Sequence, residues 1–238
     1  SADGLMIAFD SHASNLDPAD ANGLQDVFVF DRQTGISKLV SVDSSGIQGN
    51  RQSYLPSISA DSQFIAFSSD ATNLVANDTN GALDVFVNDR VAGITNRVSV
   101  TSSGSEGNGK SWASDISANG RIIVFQSEAN NLVANDNNAV FDIFVHDRQS
   151  ASTDRASVNS SRAEGNGRSL MPFISDDGRY VSYHSFATNL MSGDTNSHFD
   201  IFVSDRLTGE TTRVSVSSTG LQSNGDSTES PISGNGLF

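Results

Sequence analysis

Cysteine is absent from all 238 residues, which excludes a disulfide framework and thiol catalysis without fixing a compartment. No run of about 18 apolar residues occurs, so no helical segment of the given sequence is built to span a bilayer, and no membrane insertion is expected. The first residues lack the basic-then-apolar pattern of a signal peptide, and the sequence reads as a mature or excised piece. Basic residues are scarce: 14 Lys and Arg face 28 Asp and Glu, giving a net charge of -14 and a pI near 4.4. Nucleic acid and anionic lipid would be repelled by such a surface, and cations are its natural counter-charge. Helical 3.6-residue periodicity with caps is also missing. Neither a Gly-x-Ser-x-Gly elbow, a His-Glu-x-x-His helix nor a phosphate loop is found.

What is present is one sentence written four times. Asp26-Val-Phe-Val-Phe-Asp-Arg32, Asp84-Val-Phe-Val-Asn-Asp-Arg90, Asp142-Ile-Phe-Val-His-Asp-Arg148 and Asp200-Ile-Phe-Val-Ser-Asp-Arg206 follow one another at a constant spacing of 58 residues. A spacing that never slips marks a repeat protein, each copy being one supersecondary unit stacked on its neighbours. We divide the chain into 1–58, 59–116, 117–174 and 175–232, with a fifth copy starting at 233–238, all within a single domain.

Inside a repeat the apolar period is two, the signature of half-buried strands. In the second copy the strands are expected at Tyr54–Ser59, Phe64–Phe67, Asp84–Asn88 and Thr95–Val100. Gly35, Gly93 and Gly209 recur in the turn between third and fourth strands, where positive φ is common, with Ala151 as the exception. Four antiparallel strands repeated in series are the blades of an all-β propeller, with Phe28, Phe86, Phe144 and Phe202 in equivalent buried places.

The runs Ile58-Ser-Ala-Asp-Ser-Gln-Phe-Ile-Ala-Phe67, Ile116-Ser-Ala-Asn-Gly-Arg-Ile-Ile-Val-Phe125 and Ile174-Ser-Asp-Asp-Gly-Arg-Tyr-Val-Ser-Tyr183 resemble the bacterial WD40-like (PD40, TolB-type) β-propeller repeat. The Asp-Val-Phe-Val-x-Asp-Arg segments are similar to the third strand of that family. Ala, Asp or Gly stands where the family usually has Pro, and two loops are longer than usual. The resemblance implies an extracytoplasmic bacterial protein (periplasmic, cell-surface or secreted) that acts as a binding platform. Some such propellers are fused to peptidase domains, and no such domain is present in this sequence.

Ser1-Ala-Asp-Gly-Leu5 aligns with Ser233-Gly-Asn-Gly-Leu237, so one blade is split between the two ends. Two arrangements follow: a ring of four closed by Ser230–Ser233, or an excerpt of a larger ring. An excerpt would leave end blades available for self-association.

The loop between second and third strands carries Asp, Asn and Asp at i, i+2 and i+6 in every copy: Asp20, Asn22 and Asp26; Asp78, Asn80 and Asp84; Asp136, Asn138 and Asp142; Asp194, Asn196 and Asp200. Hard cations collect six to eight oxygens from such groups, so one Ca²⁺ per loop is one expectation. Turn capping by Asp and Asn is the other, and it would recur just as regularly. A second polar loop repeats Asn50, Asn108, Asn166 and Asn224, three of them followed by Gly. We expect a positive-φ turn there, or an Asn bonded across it. The Asp31-Arg32 type of pair, equal in every copy, is expected to cap the next turn and to bond nearby backbone or carboxylate.

Residues that break the repeat are few. His12, His146, His184 and His198 share no register, which suits surface or packing roles better than a metal site. Trp112 is expected at a core or blade interface. Two functions remain: a non-catalytic module binding a protein or glycan, steadied by Ca²⁺, or a polysaccharide hydrolase or lyase using two carboxylates. Glu106, Glu128, Glu164, Glu210 and Glu229 are the asymmetric acids for the second reading.

Overall fold

The alternation of apolar and polar residues resolves into fifteen strands in a computed structural model of the chain, which describes residues 1–236; Leu237 and Phe238 of the expected fifth copy lie outside the described residues. The first sheet holds β1 (Met6–Ser11), β2 (Asp26–Asp31) and β3 (Ile36–Leu39). The second holds β4 (Ser53–Ile58), β5 (Phe64–Ser69), β6 (Asp84–Asp89) and β7 (Ile94–Arg97). The third is β8 (Ser111–Ile116), β9 (Ile122–Ser127), β10 (Asp142–Asp147) and β11 (Ser152–Arg155). The fourth is β12 (Ser169–Ile174), β13 (Tyr180–Ser185), β14 (Asp200–Asp205) and β15 (Thr211–Arg213). Every pairing is antiparallel between consecutive strands, and no helix occurs among the described residues.

Each sheet is a propeller blade. The four repeated phenylalanines of the third strands are fully buried, and each stacks on the aromatic ring opposite it: Phe9–Phe28 at 5.8 Å, Phe67–Phe86 and Phe125–Phe144 at 5.9 Å, Tyr183–Phe202 at 6.1 Å. In the second, third and fourth blades such a pair packs on the aliphatic face of the blade before it. Phe125 and Phe144 lie with Ala66, Val85 and Val87, while Tyr183 and Phe202 lie with Val124, Ile143 and Val145. The core is therefore a set of layers between blades, as radial stacking requires.

The fourth strand is shorter than the sequence suggests. After Arg97 the Ser99 hydroxyl turns inward, donates to Asp84 Oδ1 at 2.5 Å and accepts from the Val85 amide at 3.2 Å. That side chain takes the place of ladder hydrogen bonds, so pairing stops at Arg97. The inner strands β4, β8 and β12 each carry a bulge, with Leu55, Ala113 and Met171 at φ of 54°, 50° and 51°. Ala151, the exception in the glycine series, also adopts a positive φ, 54° against 68° for Gly93.

Backbone hydrogen bonds also cross from blade to blade. Ala2 N donates to Ala60 O, Ala60 N to Ala118 O, Ala118 N to Asp176 O and Asp176 N to Gly234 O, at 2.8–3.1 Å. The donors and acceptors stand at one repeat position, so residues 2 and 234 occupy separate rungs. Ser230–Ile232 runs along the fourth blade, where the Ser182 hydroxyl donates to Ser230 O at 2.5 Å. No strand pairing among the described residues joins this segment to the first sheet. The described residues thus form an arc of four consecutive blades.

Candidate functional site

The repeated acids lie where second strands end and third strands begin, and three of the four loops share one solution to their charge. Arg97, on β7, reaches back so that Nη1 stands 3.6 Å from Asp78, 3.2 Å from Asp84 and 2.5 Å from Glu106. Arg155 repeats this with Asp136, Asp142 and Glu164 at 3.4, 3.1 and 2.7 Å. Arg213 meets Asp194 and Asp200 at 3.6 and 3.3 Å. In these loops a guanidinium supplies the charge expected of a bound cation. The Asn residues act as turn caps: Asn80 Oδ1 accepts from the Ala82 amide at 2.7 Å, while its amide donates to Asp84 Oδ2 and Gly107 O. Asn138 and Asn196 do the same.

Burial, and then the neighbouring Asp84 charge, push the Asp78 carboxyl up to about 6 against the pull of Arg97; Asp136 is raised to about 6 by burial and Asp142 in the same way. Glu106 goes the other way. Burial opposes its ionisation, yet hydrogen bonds from the Thr79 hydroxyl and amide, with Arg97, hold it at about 2. A carboxyl whose folded pKa exceeds its unfolded value binds more protons when folded. Its contribution to stability is complete below about pH 4 and is lost as pH rises through about 6. Asp78→Asn and Asp136→Asn should therefore stabilise the protein near neutral pH and lose that advantage near pH 4. After allowance for solvent screening the gain is on the order of 1 kcal/mol per site. Thermal melts across this range check it, and a pH-independent difference would contradict it.

The other repeated polar residues are structural. Asn108 N and Nδ2 bond Asn131 and Asn130, and its Oδ1 accepts from the Asn130 amide, latching one loop to the next. The glycine after it is needed for close approach, not for positive φ: a Cβ on Gly109 would lie 2.9 Å from the Ala129 amide nitrogen. Asp89 Oδ1 caps the following turn through the Val91 and Ala92 amides, and Arg90 donates to Ser62 O at 2.7 Å. Glu106 and Glu164 prove to be equivalent residues inside the arginine clusters. His146 is buried against the Thr153 hydroxyl at 2.9 Å, a packing role.

Variation between repeats gathers elsewhere. It collects on the rim where inner strands begin and second strands end. Asp10, Ser68, Gln126 and His184 share one repeat position; His12, Asp70, Glu128 and Phe186 another; Gln25, Leu83, Phe141 and Phe199 a third. Gln52, Lys110, Arg168 and Asp226 are a fourth. Trp112 belongs here too. It is 37% exposed and stacks on Phe141 at 6.3 Å, at the rim just before the bulge and outside the inter-blade core layers. In the fourth blade Phe199 is approached edge-on by His184 at 5.1 Å and by Phe186 at 5.4 Å, with the Arg168 guanidinium 5.0 Å from its ring centroid. Phe186 is 43% exposed and Met171 39%. The bulges tie this rim to the inner strands: the Leu55 amide donates to Asp10, and the Met171 amide to Gln126. Leu55, Ala113, Asp115, Met171 and Phe173 line a cavity of about 260 Å³ beside them.

With blades, layers and rim described, the comparison with solved structures is decisive for the fold. Putative TolB from Agrobacterium tumefaciens superposes with a TM-score of 0.56 over 89% of this chain and 61% of its own, at 16% identity. TolB from Acinetobacter baumannii gives 0.53 over 89% and 41%, also at 16% identity. The fold is that of TolB-like β-propellers. The β-propeller domain of the Trilobed protease from Pyrococcus furiosus, which has an open velcro topology, gives 0.51 over 89% of this chain and 54% of its own, at 11% identity. The chain thus spans less than two thirds of the length of each of these three structures. No protein-family model matches the sequence, and no curated protein matches it. Sequence reasoning missed two things within this TolB-like frame: the arginine partners of the acidic loops, and the aromatic rim. The first left a signal in Arg97, Arg155 and Arg213 at one repeat position, the second in the very positions where the repeats disagree.

Proposed function

We propose that this TolB-like propeller is a non-catalytic, extracytoplasmic module that binds a protein partner through the rim carrying Trp112, Phe141, Phe186 and Phe199. The observation that carries this is the meeting of repeat-breaking residues with exposed aromatics on one rim. Apart from the acids of the first blade, residues kept in every blade are accounted for by capping, stacking and charge pairing, so selection for a partner has freedom only where the blades differ. Trp and Arg are enriched in binding hot spots, and Phe at protein interfaces. The net charge of -14 favours a partner with a basic surface. Extracytoplasmic placement is supported by the resemblance to TolB-type repeats.

The test places a photo-crosslinking residue at Trp112 or Phe186, and as control at Val91, 80% exposed in a turn at the opposite end of a blade. The expected result is a discrete protein adduct from the rim positions alone, competed away by unlabelled wild type and lost on Phe199→Ala. Equal labelling from Val91 would overturn the assignment, as would binding to a glycan array in place of protein.

A further inference from the structure

The first blade departs from the other three at the arginine. Its acids, Asp20 and Asp26, are in register with Asp78 and Asp84, but Leu39 stands where Arg97, Arg155 and Arg213 stand. Gln48 replaces Glu106, as Gln222 does in the fourth blade, so the first and fourth clusters differ in formal charge only by the missing guanidinium. Asp26 is fully buried and Asp20 is 6% exposed. The Gln48 amide is shared between them, donating to Asp20 Oδ1 and Asp26 Oδ2 at 2.8 Å each. Ser41 donates to Asp26 Oδ1 at 2.6 Å. Asp20 Oδ2 is buried and has no hydrogen-bond partner, and Leu39, unlike the arginines, brings no ion pair to it.

A buried carboxylate pair without a cation is costly, and burial, with the charge of Asp20, pushes the Asp26 carboxyl above the usual carboxylate range. We propose that the Asp20–Asp26 pair binds one divalent cation of the Ca²⁺ class, at the position the guanidinium occupies in the other blades. The unpartnered Asp20 Oδ2 and the Asp26 carboxylate supply its charge. In the second and third blades the arginine Nη2 also donates to a loop carbonyl, Asn77 O at 3.4 Å or Asn135 O at 3.1 Å. The carbonyl of Ala19 is the counterpart in the first loop, a hard oxygen of the kind that completes a Ca²⁺ shell with water. Calcium is favoured over Mg²⁺ because the loop offers uneven oxygens rather than an octahedral set. The site adjoins the rim position of Gln25, but its test uses no partner protein, so its outcome is separate from that of the proposed function.

The experiment is calorimetry and thermal denaturation of the whole chain with Ca²⁺, for wild type, Asp20→Asn and Leu39→Arg. One saturable site per chain is expected for wild type, with a Kd of about 10⁻⁴–10⁻³ M and a rise in melting temperature on adding the ion. Asp20→Asn should bind at least about tenfold more weakly, since one ligand charge is lost. Leu39→Arg should melt higher than wild type without Ca²⁺ and should no longer respond to it. Absence of saturable binding by wild type at concentrations about tenfold above that range would overturn the proposal, leaving the Gln48 amide as the bridge between the pair. Unchanged Ca²⁺ binding by Asp20→Asn would overturn it as well, and this arm holds even if Leu39→Arg fails to fold.

Discussion

Replacing Arg155 by Met should destabilise the protein by about 3–5 kcal/mol, the usual penalty for leaving a buried charge uncompensated. The Arg155 side chain is 8% exposed; its guanidinium contacts Asp136, Asp142 and Glu164 within 3.4 Å and donates to Asn135 O. Its loss leaves three carboxylates facing one another across a space too dry to screen them. Lysine would recover only part of the loss, because a point charge cannot serve the acids and the carbonyl together. The deficit should shrink as pH falls, since Asp136 already titrates at about 6 and takes up a proton readily. It should also shrink when Asp136→Asn is added. Urea unfolding of the single and double variants measures both effects. A cost under about 1 kcal/mol would place the cluster with surface ion pairs, which contribute little.

Phe144→Ala is expected to cost about 3–5 kcal/mol through cavity formation. The ring has no exposed surface, stacks on Phe125, and sits in the layer that also holds Val85, Val87 and Val98 of the preceding blade. The cavity would open between two blades rather than inside one. Denaturant curves should therefore lose cooperativity as well as midpoint, because the nearest-neighbour coupling of a repeat array runs through such layers. Phe144→Leu, which keeps most of the volume, should cost about 1 kcal/mol. A Phe144→Ala variant that kept both midpoint and slope would show that the layers do not carry the stability.

Much of this was legible in the residues. Period-two alternation located the strands, and the constant Phe of each Asp-Val-Phe-Val segment named the buried ring of every blade. Asp89-Arg90 and its copies were readable as turn caps because a short carboxylate followed by a turn has few other uses. What stayed hidden depended on tertiary placement. Arg97 lies 13 residues beyond Asp84 on a different strand, and only the antiparallel register brings its head group back to the loop. Gly109 looked like a turn glycine, since sequence does not distinguish a left-handed residue from one pressed against another backbone. Trp112 read as core because large aromatics usually are, and a one-residue bulge beside it decided otherwise.

The chain of blade-to-blade hydrogen bonds at residues 2, 60, 118, 176 and 234 has a meaning in the language of genes. Each rung is backbone to backbone, so it is indifferent to the side chains of the blades it joins. Removing or duplicating one 58-residue stretch in frame leaves every rung with a donor above and an acceptor below. An in-frame gain or loss of one repeat, which breaks most proteins, here yields another propeller arc with one blade fewer or more. Blade number is thus a quantity that replication errors can change in one step, while the rim residues are free to diverge one blade at a time.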